Sequence, residues 1–371
     1  MKNVGILSMH RVVNYGSFLQ AYALKEIIET CGECEVSFID IKPGVSLYKP
    51  EKSSGLLRLL RLIKYCVTGT LLQVLRRKKF GKQLSYQFNN FYRLLGRIVG
   101  PDEGQFDVVV IGSDEVFNCC QKAKWGFSTQ LYGDIPNAKN VLSYAASFGA
   151  TTFDGITAFN LQDAISANIR KLSALSVRDD NSVEILKRIT GAAPEKHLDP
   201  VLVYGYKKEM AELPEYTLNG KYMVVYSYNG RIVDSREITA IVRFAKKHAL
   251  KIYTVFCTYS WADKTVLPTI PFEVLKVFQS AEYIVSDTFH GTIFSIIAHR
   301  NFCTLMRESA RNKVTSMLAM LKLEEHIVTN PALLEDTLCR FIDYDAVENI
   351  LAAERAHSIS YLRNNIFGGE K

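Results

Sequence analysis

The sequence predicts an α/β protein built from two doubly wound domains that face each other across a central cleft. Short apolar, β-branched runs alternate with helical patterns along most of the chain, which is typical of parallel sheets joined by helices. A polar, turn-rich stretch at residues 211–220 separates two series of this alternation. The length of 371 residues also exceeds what one ordinary core contains. In such sheets, ligands bind beyond the carboxyl ends of the strands.

The composition is that of a globular protein with an ample core, because 48% of the residues are hydrophobic and 22% are charged. No run of about 18 apolar residues predicts a membrane-spanning helix. Residues 4–8 form an apolar run too short for a secretion signal. The eight cysteines include one CxxC, at Cys31 and Cys34, without the second pair of a zinc ribbon. A redox role for this pair is less favoured than a helix end followed by a strand, so we expect reduced thiols in the cytoplasm.

The first series of strands and helices, residues 1–210, is expected to form an N-terminal domain. We predict strands at residues 4–8, 35–40, 107–111, 140–147 and 174–177, and helices at about 18–30 and 182–190. A basic, leucine-rich helical insert at residues 56–97 interrupts the series. Four of the strands end in small, polar or charged residues, which indicates a ligand site at their carboxyl ends.

The second series, residues 211–343, is expected to form a C-terminal domain, and residues 344–371 a helix that packs back on the N-terminal domain. We predict strands at residues 222–228, 251–256, 283–286 and 302–306. Helices are predicted at about 232–249, 272–281, 312–321 and 344–365, and one more begins at Thr292.

Residues 281–300, AEYIVSDTFHGTIFSIIAHR, give the strongest indication of a chemical site. A buried strand leads through Asp287 and Thr288 to His290 and Gly291, and a helical pattern opens at Thr292. The first free N–H groups of a helix bind anions, and a glycine lets a phosphate approach the backbone closely. His290 adds a titratable ring beside Asp287. We therefore expect a phosphate site at Gly291 and Thr292 next to a catalytic histidine.

Two other strand ends carry polar residues whose patterns are ambiguous. The loop at residues 10–17, which contains Asn14, Tyr15 and Gly16, lies where phosphate loops lie, but it has no nucleotide fingerprint. A capped helix start explains it better on spacing alone. At residues 112–118, Asp114 and Glu115 are either a pair of acids that divide proton-transfer roles or part of a capping turn, and the two interpretations are equally favoured.

Arg178 follows a further predicted strand. An arginine at a strand end can hold a carboxylate or phosphate with two hydrogen bonds. A surface pair with Asp179 is the more favoured explanation when this stretch is taken alone. The common placement of these groups at strand ends indicates one shared cleft.

The segment at residues 56–97 contains ten lysines and arginines and no acidic residue. Apolar residues lie between the charges at helical spacing. Such a segment either lies on an anionic membrane surface or forms helices packed on the domain with basic faces in solvent, and both remain open. No nucleic-acid-binding module is evident elsewhere, so nucleic acid is not expected as a partner.

Six stretches occur in the order found in polysaccharide pyruvyl transferases, and the chain resembles that family over roughly residues 4–303. These are GILSMHRVVNYGSFLQAYAL, DVVVIGSDEVFN, LSYAASFG, LSVRDDNS, HLDPVLVY and VSDTFHGTIFSIIAHRNF. The resemblance implies two Rossmann-like domains in a GT-B-like arrangement. It also implies transfer of the enolpyruvyl unit of phosphoenolpyruvate to sugar hydroxyls. Glu115 and Phe117 replace a glutamine and a tryptophan that the family often has, which bears on the acceptor.

The resemblance implies roles for individual residues, with phosphoenolpyruvate as co-substrate and neither cofactor nor metal. The donor, whose carboxylate is expected near Arg178 or another basic group, is assigned to Arg178, Thr288, His290, Gly291, Thr292 and Ser295. Proton transfer is assigned to His290 as general acid and to Asp114 or Asp287 as base. The acceptor side or cleft wall is expected to include Asn14, Tyr15, Gly16, Ser113, Asn118, Ser147 and Gly149.

The acceptor implied by the resemblance is a galactose-like or mannose-like residue of a bacterial surface polysaccharide or its lipid-linked precursor. The N-terminal domain is expected to hold this acceptor and the C-terminal domain the donor. A lipid-linked acceptor would fit a protein bound to the inner face of the membrane through residues 56–97. Two alternatives remain: a GT-B glycosyltransferase that uses a nucleotide sugar, and a non-catalytic glycan- or phosphate-binding protein on the same fold.

Overall fold

The computed structural model describes residues 1–48, 71–214, 218 and 220–368, and it contains two parallel sheets flanked by helices. The predicted α/β class with two doubly wound units is confirmed. The strands of the seven-stranded sheet are β1 (Lys2–Leu7), β2 (Cys34–Ile39), β3 (Arg97–Val99), β4 (Phe106–Asp114), β5 (Ala138–Ala146), β6 (Ser176–Val177) and β7 (Glu195–Lys196). Those of the six-stranded sheet are β8 (Tyr222–Tyr226), β9 (Lys251–Val255), β10 (Lys264–Val266), β11 (Tyr283–Ser286), β12 (Asn301–Leu305) and β13 (Ile327–Val328).

The helices cover both faces of these sheets. In chain order they are α1 (Tyr15–Cys31), α2 (Leu71–Phe91), α3 (Phe153–Ala158), α4 (Gln162–Ile169), α5 (Asp180–Thr190), α6 (Pro200–Tyr204), α7 (Lys207–Glu212), α8 (Ser235–Lys247), α9 (Glu273–Gln279), α10 (Phe289–Ile297), α11 (Arg311–Met320), α12 (Leu334–Cys339) and α13 (Tyr344–Phe367). Among the described residues, no helix is both long enough and apolar enough to span a membrane.

Each sheet has one point at which the strand order reverses. In the first sheet the order is β3-β2-β1-β4-β5-β6-β7, so β1 lies between β2 and β4. In the second sheet the order is β10-β9-β8-β11-β12-β13, so β8 lies between β9 and β11. A ligand crevice opens where strand order reverses. The loops after β1, β4, β8 and β11 are therefore the parts of the chain placed to form a site.

Short polar side chains determine where the helices near this crevice begin. Asn14 accepts a hydrogen bond from the N–H of Gly16 at 2.7 Å and starts α1. Asp199 accepts from Val201 at 3.0 Å and starts α6, with a proline at the first helical position. Thr288 accepts from Gly291 at 2.9 Å and starts α10. These residue types are preferred at helix N-caps because the side-chain oxygen satisfies an otherwise unpaired N–H group.

The observed elements differ from the predicted ones in several ways, which include five short helices that were not predicted, α3, α4, α6, α7 and α12. Helix α10 begins at Phe289, three residues earlier than expected, because Thr288 is its N-cap. Strands β3, β7, β10 and β13 were not predicted, since each is an edge strand of only two or three residues. Residues 56–70 of the basic insert, and residues 215–217 and 219 of the expected linker, lie outside the described residues.

Helix α13 lies against both halves of the molecule. It packs on α1 and α6, and the Tyr361 hydroxyl donates to the Ser143 carbonyl at 2.9 Å. At its other end, the Tyr344 hydroxyl donates to the carbonyl of Arg300, just before β12, at 2.7 Å. Hydrogen bonds to backbone carbonyls therefore attach this helix to each sheet.

Candidate active site

A cleft of about 460 Å³ lies between the carboxyl ends of the two sheets. Its walls come from the loops after β1 and β4 on one side and from the loops after β8 and β11, with the start of α11, on the other. The residues that line it are Met9, Val12, Asn14, Ser17, Asp114, Glu115, Asn118, Cys120, Gln121, Trp125, Ala150, Thr151, Tyr226, Tyr228, Arg231, Thr288, Phe289, His290, Ser309, Ala310 and Lys313. The cleft thus combines polar and apolar groups from both sheets.

His290 lies in the first turn of α10 and contacts the N-terminal half. Its side chain is 10% exposed, and Nε2 is 3.5 Å from Oδ2 of Asp199. The ring packs directly on Gly16, where a Cβ atom would overlap the imidazole. Gly16 therefore permits the close approach of α1 and α10 that brings the histidine to the cleft.

Behind His290, Arg178 is buried between two carboxylates. Its Nη2 donates to Asp114 Oδ1 at 3.1 Å, and its Nη1 donates to Asp199 Oδ2 at 2.5 Å. The guanidinium also lies over the ring of Phe289, 4.4 Å from the ring centroid. Because Asp199 contacts both Arg178 and His290, the three groups form one charged cluster under the floor of the cleft.

Both carboxylates of this cluster stay ionised. Burial alone would raise the pKa of Asp199, but the neighbouring His290 and Arg178 outweigh it and lower the pKa. For Asp114, burial is likewise outweighed by the positive charge of Arg178, with smaller effects from His290 and Lys313 and the Ser17 hydroxyl, so its pKa falls well below the usual range. Two carboxylates face one guanidinium, so negative charge lies beside the His290 ring.

Asp114 is held in place by a second contact, since the Ser17 hydroxyl donates to its Oδ2 at 2.7 Å. A carboxylate with a strongly lowered pKa is a weak proton acceptor. The geometry therefore suits Asp114 to orienting Arg178 and to accepting a hydrogen bond in the cleft.

An ion pair between the two halves forms part of the cleft wall. Lys313 of α11 contacts Glu115, which follows β4, and Asn118 also donates to that carboxylate. Burial would raise the pKa of Glu115, but the charge of Lys313 outweighs it and lowers the pKa. The pair supplies a cation and an anion that are both positioned to meet a polar ligand.

The opposite wall presents Arg231 and Tyr228. The Arg231 guanidinium stacks on the Tyr228 ring at 4.4 Å and makes only long contacts, to the Asp287 carbonyl at 3.4 Å and the Ser309 hydroxyl at 3.3 Å. In the described part of the chain, no carboxylate lies within ion-pair distance of it. Its charge is therefore available to an anionic ligand.

The Tyr228 hydroxyl lies between the two halves and accepts a hydrogen bond from Asn14 Nδ2 at 2.6 Å. Burial, together with the nearby Asp114, raises the pKa of Tyr228 to about 12. The phenol therefore stays neutral and keeps its proton to donate to a ligand.

The structure brings five of the residues expected at the site to the cleft wall: Asn14, Asp114, Asn118, Thr288 and His290. Three others lie behind that wall. Ser113 is buried, with its hydroxyl 3.4 Å from Asp199, and Ser147 donates to Asp179 at 2.6 Å. Tyr15 packs its ring against Phe88. Gly149 contacts the site through its backbone, since a Cβ there would meet Glu115 and Asn118.

The expected phosphate cradle does not face the cleft at Gly291 and Thr292. The N–H of Gly291 is taken by Thr288, and its Cα faces the core, where a Cβ would overlap Ser286. The Thr292 hydroxyl donates to the Thr288 carbonyl at 2.9 Å, and Ser295 likewise donates to the backbone inside the helix. The reason is the earlier helix start, which turns these residues inward.

The backbone N–H groups of the two residues before Gly291 are placed to bind an anion instead. Phe289 and His290 are the first residues of α10 and line the cleft. No acceptor for their N–H groups is present in the portion of the chain described. The start of a helix attracts anions through such groups. The anion-binding edge of this turn therefore lies two residues ahead of the expected position.

Asp287 also lies away from the cleft. It is fully buried, and its Oδ2 accepts from Arg307 Nε at 3.2 Å. Burial raises the pKa of this carboxyl although Arg231 and Arg307 oppose the effect. In this position Asp287 interacts with Arg231 and Arg307 beneath the turn and does not face the cleft.

Four residues that contribute to the site were not assigned to it from the sequence: Asp199, Tyr228, Arg231 and Lys313. Asp199 had a recognisable signal, since an aspartate followed by proline is typical of a capped helix start. Arg231 follows a strand end, as the assigned residues do. No signal in the sequence indicated Lys313, because only the tertiary fold brings α11 close to Glu115.

A family model for polysaccharide pyruvyl transferases matches residues 14–309 of the chain. No curated protein sequence matches it. Among solved structures, UDP-GlcNAc 2-epimerase from Neisseria meningitidis bound to UDP-GlcNAc is similar at 10% identity, with a TM-score of 0.50 and complete coverage (100%) of both chains. The glycosyltransferase SnogD from Streptomyces nogalater is similar at 12% identity, with a TM-score of 0.42, over 98% of this chain and 95% of that one.

An O-GlcNAc transferase variant from Thermobaculum terrenum is similar at 11% identity, with a TM-score of 0.44, over 98% of this chain. The match spans 66% of the length of that transferase. At these identities the likeness concerns the fold alone. The two facing parallel sheets, which were predicted, are shared with the UDP-GlcNAc 2-epimerase.

Replacing Gly16 by alanine should displace the His290 ring, because the new methyl group would overlap it. Overpacking of this kind typically costs about 1–3 kcal/mol. We expect a lower Tm together with loss of transferase activity. The control is Gly81→Ala in α2, where nothing lies within 4 Å of the added methyl group. That variant should match or exceed wild-type stability. Equal Tm and activity for Gly16→Ala and wild type would contradict the contact.

Proposed function

Because the chain belongs to the polysaccharide pyruvyl transferase family, we propose that it transfers the pyruvyl unit of phosphoenolpyruvate to two hydroxyls of one sugar residue in a bacterial surface glycan. The family match supports a transferase of this class. The observation that carries the choice of donor is the combination around His290. A buried imidazole, an unpaired arginine and the start of a helix meet in one cleft.

The proposed donor carries two anionic groups, a phosphate and a carboxylate, and the cleft offers cationic partners on one wall. Arg231 and the N–H groups of Phe289 and His290 suit the phosphate, since bidentate arginines and helix starts both bind phosphate oxygens. Lys313 suits the carboxylate. Arg178, which was expected to hold the donor carboxylate, is neutralised by Asp114 and Asp199, so we assign it to positioning.

The proposed reaction begins when His290 donates a proton to the methylene carbon of phosphoenolpyruvate. The double bond is consumed, and positive charge develops on the neighbouring carbon. One sugar hydroxyl adds to that carbon, the carbon–oxygen bond to phosphate breaks, and the second hydroxyl adds to complete the ketal. One of the two hydroxyl protons restores the imidazolium, and the other leaves with the phosphate.

The charged cluster behind His290 supports this step electrostatically. Asp199 lies 3.5 Å from Nε2 and orients the ring, and its negative charge lies next to the imidazole from which the proposed proton transfer starts. Asp114 and Glu115 face the same space and are suited to accepting hydrogen bonds from sugar hydroxyls. Asp287 lies behind the cleft wall, and its carboxyl group interacts electrostatically with Arg231 and Arg307.

His290→Ala should reduce phosphate release from phosphoenolpyruvate in the presence of glycan by ~10²–10⁴, as is typical for loss of a positioned acid. The matched control is His299→Asn, a change at an exposed histidine outside the cleft that pairs with Glu348 and has a positive φ that asparagine tolerates. Activity with phosphoenolpyruvate that survives in His290→Ala would refute the role. Turnover of a nucleotide sugar by wild type, or binding of glycan without turnover, would instead support the alternative functions.

Arg231→Gln should raise the KM for phosphoenolpyruvate while leaving the KM for the glycan nearly unchanged. A hydrogen bond to a charged group contributes about 1.5–3 kcal/mol, so an increase of about 10- to 100-fold is expected. Arg236→Gln is the control, because Arg236 is exposed and paired with Asp234 away from the cleft. A change confined to the glycan KM would move Arg231 to the acceptor side.

We further propose that the acceptor is presented at an anionic membrane surface and that α2 contacts this surface. One face of α2 packs on the core through Phe80, Leu84, Phe88 and Phe91. The opposite face exposes Leu72, Leu75, Arg76, Lys79, Lys82 and Tyr86. Apolar and basic side chains together on an exposed helical face are suited to the interface of an anionic bilayer.

Replacing Arg76, Lys79 and Lys82 by glutamine should weaken binding to anionic vesicles steeply, because each basic residue near such a surface contributes about 1 kcal/mol. Flotation with phosphatidylglycerol vesicles measures the effect, and high salt should reproduce it by screening. The control replaces three exposed lysines elsewhere, Lys207, Lys208 and Lys246. Wild-type protein that does not float at low salt would favour the other interpretation, a basic face in solvent.

A further inference from the structure

We propose that Glu195, His197 and His357 form a binding site for a transition-metal ion of the zinc class, outside the catalytic cleft. Glu195 lies in β7, the edge strand of the first sheet, and His197 follows that strand directly. His357 lies in α13. None of the three lines the cleft, so the inference is independent of the proposed function.

The three ligand atoms already lie close together. His357 Nε2 is 3.6 Å and His197 Nε2 is 3.8 Å from Oε2 of Glu195, and all three atoms lie within 4.8 Å of one another. Ligand atoms around a tetrahedral zinc ion are about 3.4 Å apart, given metal–ligand bonds of about 2.0–2.1 Å. Small rotations of the two exposed side chains are enough to reach that geometry.

His197 supplies a second, independent observation. Its side chain is only 3% exposed, and Nδ1 lies 2.8 Å from the Ser176 hydroxyl. The other nitrogen, Nε2, is buried and has no hydrogen-bond partner among the described residues. A buried polar atom without a partner is unfavourable. A histidine ligand typically has this arrangement, with one ring nitrogen held by a second residue and the other aimed at the metal.

The ligand set indicates the kind of metal. Two imidazole nitrogens and one carboxylate oxygen suit Zn²⁺ and its neighbours in the first transition row, whereas Mg²⁺ and Ca²⁺ require sites made mainly of oxygen. The Glu195 and His357 side chains are 59% and 52% exposed. A metal ion therefore has access from solvent, and water can fill the fourth position.

A bound ion would join two parts of the chain that are distant in sequence. It would connect the end of β7 to α13, the helix that also contacts the second sheet through Tyr344. The site would thus attach α13 to the edge of the first sheet beside Tyr361, whose ring lies 4.4 Å from His197. We expect the ion to stabilise the folded protein by binding it in preference to the unfolded chain.

The test is titration of the tag-free, full-length protein with Co²⁺, which replaces zinc and absorbs visible light when four-coordinate. We expect saturation at one equivalent. His357→Ala and Glu195→Gln should each weaken the affinity at least ~10-fold, the loss that follows even from removing an outer-shell partner. Both residues are exposed, so neither change should affect folding. His299→Asn, which alters another histidine–glutamate pair made by α13, should bind Co²⁺ as wild type does.

A second measurement addresses stability directly. Zn²⁺ should raise the Tm of wild type and of His299→Asn but not of His357→Ala. Absence of saturable Co²⁺ binding, or equal binding by wild type and His357→Ala, would overturn the proposal. In that case the cluster is an ordinary set of ion pairs that depends on histidine protonation.

Discussion

The buried position of Arg178 between Asp114 and Asp199 is the constraint on which the rest of the site depends. An arginine this deeply buried requires carboxylate partners, because an unpaired charge in the interior is strongly destabilising. Asp114 ends β4, and Asp199 caps α6 three residues after β7. The cluster therefore fixes three strand ends of the first sheet relative to one another. It also presents negative charge to α10 of the other half, where His290 meets it.

The fold could be predicted from the sequence because the strands nearest the cleft are continuous apolar runs. Stretches such as DVVVI and YMVVY are typical of strands buried on both faces, and β4 and β8 contain them. The edge strands β3, β7, β10 and β13 are too short to leave such a pattern. The start of α10 was misplaced for a local reason: the capping role of Thr288 was not recognised, so the helix was taken to begin where its apolar residues begin.

The site was predictable as a location but not as a set of contacts. His290, Asp114 and Asn14 were identified because strand ends in parallel sheets converge on one edge. Which side chain faces ligand and which faces core depends on helix phase, and a shift of three residues turned Gly291 and Ser295 inward. The partners Lys313 and Asp199 depend on tertiary packing. Asp199 is close to Arg178 only because β6 and β7 are neighbours, and no sequence spacing records that.

Helix α13 has a mechanical consequence for how the two halves of the molecule can move. Its 24 residues form a rod of roughly 36 Å, which is attached to one sheet through Tyr344 and to the other through Tyr361. In many enzymes with two domains, the domains open and close by rotation about flexible hinge residues. Here the single helix α13 contacts both halves, so we expect the sheets to rotate about the helix axis more easily than they separate. For the glycan acceptor proposed above, the entrance would then have a nearly constant width, because a rigid length sets it.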